Sequence, residues 1–344
     1  MCKAFVLGPL LIMLVIGTAH ADVSNELIIG WAYASQTGFT GTLSGSGLTM
    51  DIPQDMSNRH DSFTASYTHF FKPLTSDDMP IELRRFSQHP SLLTVELFGS
   101  IWSGKDGGLA PTVNYEQRST GLTIGAEYFL PSGTGFIVDL GGGIGTYEWT
   151  RGAGLEGSSP RTFRYRFGVA QYVAPNAALH VEGERQITML AGSERSAMDR
   201  GILAFGARWA IGNLVGLSLD LGRGQEERHD GYSVPIEYEL SQLRAELTVY
   251  AGRHLSLRLT AEQETKEAPL TPDGHERRTE YTQVTTALKY WFGEQWALEV
   301  PVHVATAEYL DEAIVMAGGL PVGTFGLRTT TRSKGAGLFI THRF

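Results

Sequence analysis

The chain has 344 residues, of which 42% are hydrophobic and 19% charged, too apolar for a disordered polymer and too charged for a bundle of membrane helices. Its 28 basic and 37 acidic side chains leave a net charge of −9, which argues against a nucleic acid or another polyanion as partner. The single cysteine, Cys2, falls in the leader described next, so the rest of the chain has no thiol for a disulfide, a Cys-ligated zinc or a nucleophile.

Residues 1–21 read MCKAFVLGPLLIMLVIGTAHA. Lys3 is a positive head, Ala4 to Ile16 an apolar stretch, and Ala19 and Ala21 the small residues of a cleavage site. This is the pattern of a secretory signal peptide handled by the Sec route, and it starts the mature domain, 22–344, at Asp22. Cys2 precedes the apolar run, so it lacks the position of a lipoprotein acylation site.

Beyond the leader, helical periodicity is nearly absent and apolar residues recur at every second position, which is strand geometry. STGLTIGAEYFL sets Leu122, Ile124, Ala126, Tyr128 and Leu130 against Thr123, Gly125, Glu127 and Phe129. TFRYRFGV sets Phe163, Tyr165, Phe167 and Val169 against Arg164, Arg166 and Gly168. VGLSLDLG, LSLRLTAE and WALEVPVHV repeat the pattern, and the chain closes on GLFITHRF with Leu338, Ile340, His342 and Phe344 on one parity. Alternating segments of this kind number about fourteen, each long enough to cross a bilayer as a tilted strand. Two breaks stand out. Pro301 removes a ladder donor and predicts a bulge or an edge, and the phase change within IEYELSQLRAELTVY predicts a β-bulge near Ser241. The run DLGGGIGTY lacks the helix and Gly-Lys-Ser/Thr of a phosphate loop, and predicts instead a kink or a close-passing loop.

The connections alternate in length. LPSGTG, VAPNA, AIGN, YAGRH and FGEQ are tight hairpins. Between them lie SGKDGGLAPTVN, RGAGLEGSSPR, AGSERSAMDR, KEAPLTPDGHER and DEAIVMAGGLPVGT, which predict long polar loops. Aromatics crowd beside the short turns: Phe71, Tyr128, Phe129, Phe136, Tyr172, Trp209, Tyr250, Tyr290, Trp291, Phe292, Trp296 and Phe344, the placement of an interfacial girdle. The second parity carries Glu127, Arg164, Arg166, Glu182, Glu184, Arg208, Asp220, Arg244, Glu246, Arg258 and Glu262. Burying so many ions without water costs several kcal/mol or so each unless they pair, so that face predicts a wet lumen and the apolar face predicts lipid. The fold class expected is all-β: a transmembrane antiparallel up-and-down β-barrel of about 14 strands.

At this point the chain resembles Gram-negative outer-membrane β-barrels as a class. Its end, with Leu338, Ile340 and Phe344, is similar to the signal that the barrel assembly machinery recognises, although His342 stands where an aromatic or aliphatic residue is usual. More narrowly, SFTASYTHFFKPLTSDDMPIELRRFSQHPSLLTVEL, from Ser62 to Leu97, resembles a segment of a porin-like family. The connection inside it is read as a rim segment with one helical turn at Ile81 to Phe86. The resemblance implies an outer-membrane location.

The charged residues named above are therefore pore-lining candidates, able to set ion preference and a transverse field; pairing across strands to fill the interior is the alternative. No H-E-x-x-H or paired histidines point to a metal, no G-x-S-x-G to a hydrolase, and no cofactor is implied. The function expected is a channel for passive diffusion of small hydrophilic solutes or ions, not an enzyme. A non-conducting barrel serving as anchor or as an assembly or export partner is the second possibility.

Overall fold

A computed structural model describes residues 23–45, 48–75, 79–107, 113–151, 154–190, 196–229, 235–268, 275–317 and 320–344. The signal peptide expected at 1–21 lies outside the described residues. In chain order the elements are β1 (Val23–Gly45), β2 (Leu48–Leu74), helix α1 (Leu83–Gln88), β3 (Leu92–Gly107), β4 (Val113–Phe129), β5 (Thr134–Arg151), β6 (Gly154–Ser158) and β7 (Pro160–Ala174). There follow β8 (Ala177–Leu190), β9 (Ser196–Ile211), β10 (Val215–Arg228), β11 (Ile236–Ala251), β12 (Leu255–Ala268), β13 (His275–Phe292), β14 (Trp296–Ala317) and β15 (Leu320–Arg343).

Each wall strand pairs antiparallel with its chain neighbour, β5 passes over the short β6 to pair with β7, and β1 pairs with β15. The result is a closed ring of 14 strands, with β6 added to the outer end of β5. Closure gives each of the 14 wall strands a partner on both sides, and among the described strands it leaves β6 paired on one side alone. At the seam the Phe344 carbonyl accepts from the Ser24 and Asn25 amides at 3.2 and 2.8 Å.

The period-two pattern sorts as expected. Leu122, Ile124, Phe163, Phe167, Leu217, Leu219, Leu257, Leu259, Val302, Val304, Leu338 and Ile340 all stand exposed on the outer surface. Their opposite-parity neighbours face the interior, and some of them, such as Thr341 and Arg343, are buried there. Above this apolar band the outer face changes to ion pairs, Arg59 with Asp61, Arg118 with Glu116, Arg185 with Asp199 and Arg278 with Glu280.

The short turns match their expected positions. Gly133, Gly212, Gly252 and Gly293 supply the positive φ (80°, 56°, 76° and 74°) that their hairpins need. The long connections differ from expectation: much of each is strand. Lys105 to Gly107 belong to β3, and Asp311 to Ala317 with Leu320 to Thr324 belong to β14 and β15. The wall is tallest there, with 23 and 27 residues in β1 and β2 and 22 and 24 in β14 and β15.

Three local expectations are corrected. No bulge occurs at Ser241, which pairs with Arg223 and Thr265 in unbroken register. Ile236, Tyr238 and Leu240 keep the inward parity of Thr248 and Tyr250, and all five are buried. The phase change arises because the upper interior is apolar there: Ile236 and Tyr238 pack with Ala268. Pro301 makes neither a bulge nor an edge. It pairs with Ala287 of β13, and the ladder to β15 resumes in the same register after Val300 and Pro301. The Gly141–Gly145 run is not kinked: it keeps register with β4 throughout, and Gly141 to Ile144 also pair with β7. Those glycines admit close backbone approach: a Cβ on Gly143 would lie 3.0 Å from the Thr120 carbonyl.

Candidate functional site: the barrel interior

The β2–β3 connection does not stay on the rim. Its helical turn, expected at Ile81 to Phe86, is α1 at Leu83–Gln88, and it lies inside the short-turn mouth of the barrel. Local chemistry sets its limits: Pro80 precedes it, and His89 at φ 46° ends it in the left-handed region before Pro90. A six-residue helix is too short to be stable alone, so contacts with the wall must hold it.

Those contacts reach most of the circumference. Ile81 packs on Trp291 and Ala297, and Leu83 on Ala210 and Tyr250. The Phe86 ring lies 5.3 Å from that of Tyr172, and His89 3.5 Å from the same ring. Arg84, 1% exposed, reaches Glu294 at 3.1 Å, and Glu294 also takes Arg253 at 2.7 Å. Arg85 meets Glu127 at 2.9 Å. Arg343 donates to the Ile81 carbonyl at 3.2 Å. Glu82 accepts from Ser256 at 2.5 Å and pairs with Lys289 at 3.1 Å. Burial alone would raise the Glu82 carboxyl, but Lys289, the Ser256 hydroxyl and Arg258 outweigh it and hold it below its usual value. Residues 79–91 thus form a plug.

The plug also explains an aromatic expectation that holds only in part. Phe71, Tyr128, Phe136, Trp209, Tyr290 and Phe292 are exposed, on the face that the girdle expectation requires. Trp291 and Tyr250 instead point inward and are buried under the plug. Phe129 and Tyr172, with rings 5.8 Å apart, join the same packing.

Above the plug a cavity of about 720 Å³ is lined by Arg164, Arg166, Glu182, Glu184, Arg208, Asp220, Arg244, Glu246 and Glu262 among others. A second cavity of about 390 Å³ runs beside the plug and is lined by Glu127. Arg258 lines neither; it holds Glu299 next to the plug. The charges are matched along one arc of wall. Arg164 meets Glu184 at 2.8 Å, Arg166 meets Glu182 at 2.7 Å and Asp139 at 3.1 Å, and Arg244 meets Glu262 at 3.3 Å and Glu246 at 3.6 Å. His180 meets Asp220 at 2.6 Å. Acids and bases are intermingled on β7 to β12, so they do not form the two opposed banks that a transverse field needs. The facing arc is hydroxylic: Thr68 bonds Thr94 at 3.1 Å and Ser100 bonds Ser119 at 2.8 Å.

Sequence reasoning missed the densest cluster. The Glu226 side chain, fully buried, is held by Lys266 at 2.8 Å, Arg228 at 2.5 Å and Arg200 at 3.7 Å, and Arg200 also takes Glu264 at 2.5 Å. Its members come from β9, β10 and β12, and only the inward parity shared by Glu226 and Arg228 signals it.

No protein-family model matches the chain, so the likeness of Ser62 to Leu97 to a porin-like family remains a resemblance. No curated protein matches it either. Solved structures do match in shape. The toluene transporter TodX of Pseudomonas putida has a TM-score of 0.57 and 10% identity, covering 93% of this chain and 90% of its own. A FadL homologue of Pseudomonas aeruginosa has a TM-score of 0.51 and 9% identity, with the same coverage. At that identity the likeness carries the fold: a closed antiparallel barrel of the outer-membrane kind.

Proposed function

We propose that the protein is a passive channel in the outer membrane of a Gram-negative bacterium, carrying small hydrophilic solutes or ions without a cofactor. The carrying observation is the interior. Two cavities share Glu82, Phe86, His180, Glu182 and Arg208 in their walls, so the space above the plug and the space beside it adjoin at those residues. An ionic wall facing such space is what a diffusing solute requires, whereas a barrel serving only as an anchor has no need of it. The apolar outer belt, the leader at 1–21 and the two outer-membrane barrels of similar shape support the location. Leu338, Ile340 and Phe344 are the residues we assign to recognition by the barrel assembly machinery.

Purified protein in a planar bilayer is expected to give discrete conductance steps in potassium chloride. Silence at every voltage, with the barrel folded, would overturn the channel. That silence would favour the second reading, a non-conducting barrel acting as anchor or export partner, which the plug across the mouth supports.

A further inference from the structure

The two cavities are lined by Arg85, Arg164, Arg166, Arg200, Arg208 and Arg244. Five of these have an acidic partner, Arg85 with Glu127, Arg164 with Glu184, Arg166 with Glu182, Arg200 with Glu264 and Arg244 with Glu262. Arg208 has no ion pair or hydrogen-bond partner among the described residues. It projects from β9 opposite Ala178 of β8, and it lines both cavities. Its surroundings change in character across it. Upward lies the ionic wall; beside the plug, around about 390 Å³, lie Phe86, Phe129, Ile137, Ala170, Tyr172 and Ala178 together with the carboxylates Glu82, Glu127 and Glu182, which Lys289, Arg85 and Arg166 hold in ion pairs.

From this geometry we infer that Arg208 and the lower cavity form a binding site for a small monocarboxylate with a flat apolar body, of the size of benzoate. This deepens the channel reading and rests on it: the site is where a permeating solute pauses beside the plug. The volume lies within the range of small-molecule sites. The Arg208 guanidinium is free of direct ion pairs among the described residues, its charge reaching Asp220 across the cavity wall, so its donors are open to a ligand, and its planar fork suits a carboxylate's two oxygens. The rings of Phe86 and Tyr172, 5.3 Å apart, offer faces and edges to a planar body. A cation would meet Arg208 directly, and a neutral hydrocarbon would leave it without a partner, so both are discriminated against. Acetate would satisfy the charge and leave the apolar wall wet.

The test is calorimetric titration of the full barrel in detergent micelles with benzoate, acetate and benzylamine, folding being checked by heat-modifiable migration. Benzoate is expected to bind, acetate about fivefold or more weaker, and benzylamine not at all. Arg208→Gln should weaken benzoate about tenfold, as loss of a charge-assisted contact does. Tyr172→Leu should bring benzoate down to the level of acetate and leave acetate unchanged. Arg118→Gln, on the outer surface, should alter nothing. Equal benzoate affinity in the wild type and Arg208→Gln, or no benzoate binding by the folded protein, would overturn the site. Conductance in potassium chloride, measured in parallel, separates the two claims: steps without benzoate binding remove the site and keep the channel. Arg208-dependent binding without steps keeps the site and removes the channel.

Discussion

Arg84 is the residue on which the plug's placement turns. Its guanidinium is withdrawn from water and meets Glu294, whose other cation, Arg253, comes from a different hairpin. Arg84→Met keeps the stem but deletes the charge. Glu294 retains Arg253 and is partly solvated, so the loss is discounted from that of a fully buried pair, to on the order of 2 kcal/mol. Amide exchange over residues 79–91 should then quicken about thirtyfold while the wall strands stay protected. Unchanged exchange would show that the apolar contacts of Ile81 and Leu83 suffice. Glu82 adds a pH dependence. Its carboxyl is held below its usual value by docking, so the contact contributes fully above the ordinary carboxylate range and is lost as pH falls through the lowered value. Conductance should be steady through neutral pH and become larger or noisier only once the pH has fallen below the ordinary carboxylate range. Glu82→Gln should show the acidic behaviour already at neutral pH and have no transition.

At the scale of single elements, β11 gives the sharpest test of which way each side chain faces. With no cysteine in residues 22–344, single thiols can be introduced without background. Cysteine at Leu240 or Gln242 should be shielded from a lipid-dissolved quencher, and cysteine at Leu243 or Leu247 should be quenched. A bulge at Ser241 would put 240 and 243 on one face and equalise their response. The misplaced bulge shows what the sequence conveys. Alternation reports a contrast of polarity between two faces, and it was readable in TFRYRFGV and LSLRLTAE because the inner and outer faces differ most in polarity there. In Ile236 to Leu240 the interior turns apolar, the contrast inverts and the parity stays. Short turns were legible because Gly133, Gly212, Gly252 and Gly293 carry the backbone requirement within a few residues. The plug was not legible as a plug. Arg84 and Glu294 lie 210 positions apart, and nothing local to RRFSQ names its partners. The inner wall's charged residues could be picked out by parity, whereas their pairing, and the lack of a direct ion pair at Arg208, depend on which strands stand side by side.

For the whole molecule, closing the ring is the step on which everything else depends, and it joins the first strand to the last. β1 and β15 meet through a ladder and through one buried ion pair, Glu26 with Arg343 at 2.6 Å, their side chains 8% and 6% exposed. Arg343 also donates to the Ile81 carbonyl, and its guanidinium lies 4.4 Å from the centre of the Trp291 ring. One side chain therefore ties the seam, the plug and β13 together. Arg343→Met would strand the Glu26 carboxylate in a dry site, a loss of about 3–5 kcal/mol where a buried partner is removed. Glu26→Gln combined with Arg343→Met removes the stranded charge, so it should recover a large part of that loss although two native groups are gone. Urea unfolding followed by heat-modifiable migration measures both. If the double variant were no more stable than Arg343→Met alone, the seam would owe its strength to the ladder and to the contacts with Ile81 and Trp291. The ion pair would then contribute little to closure.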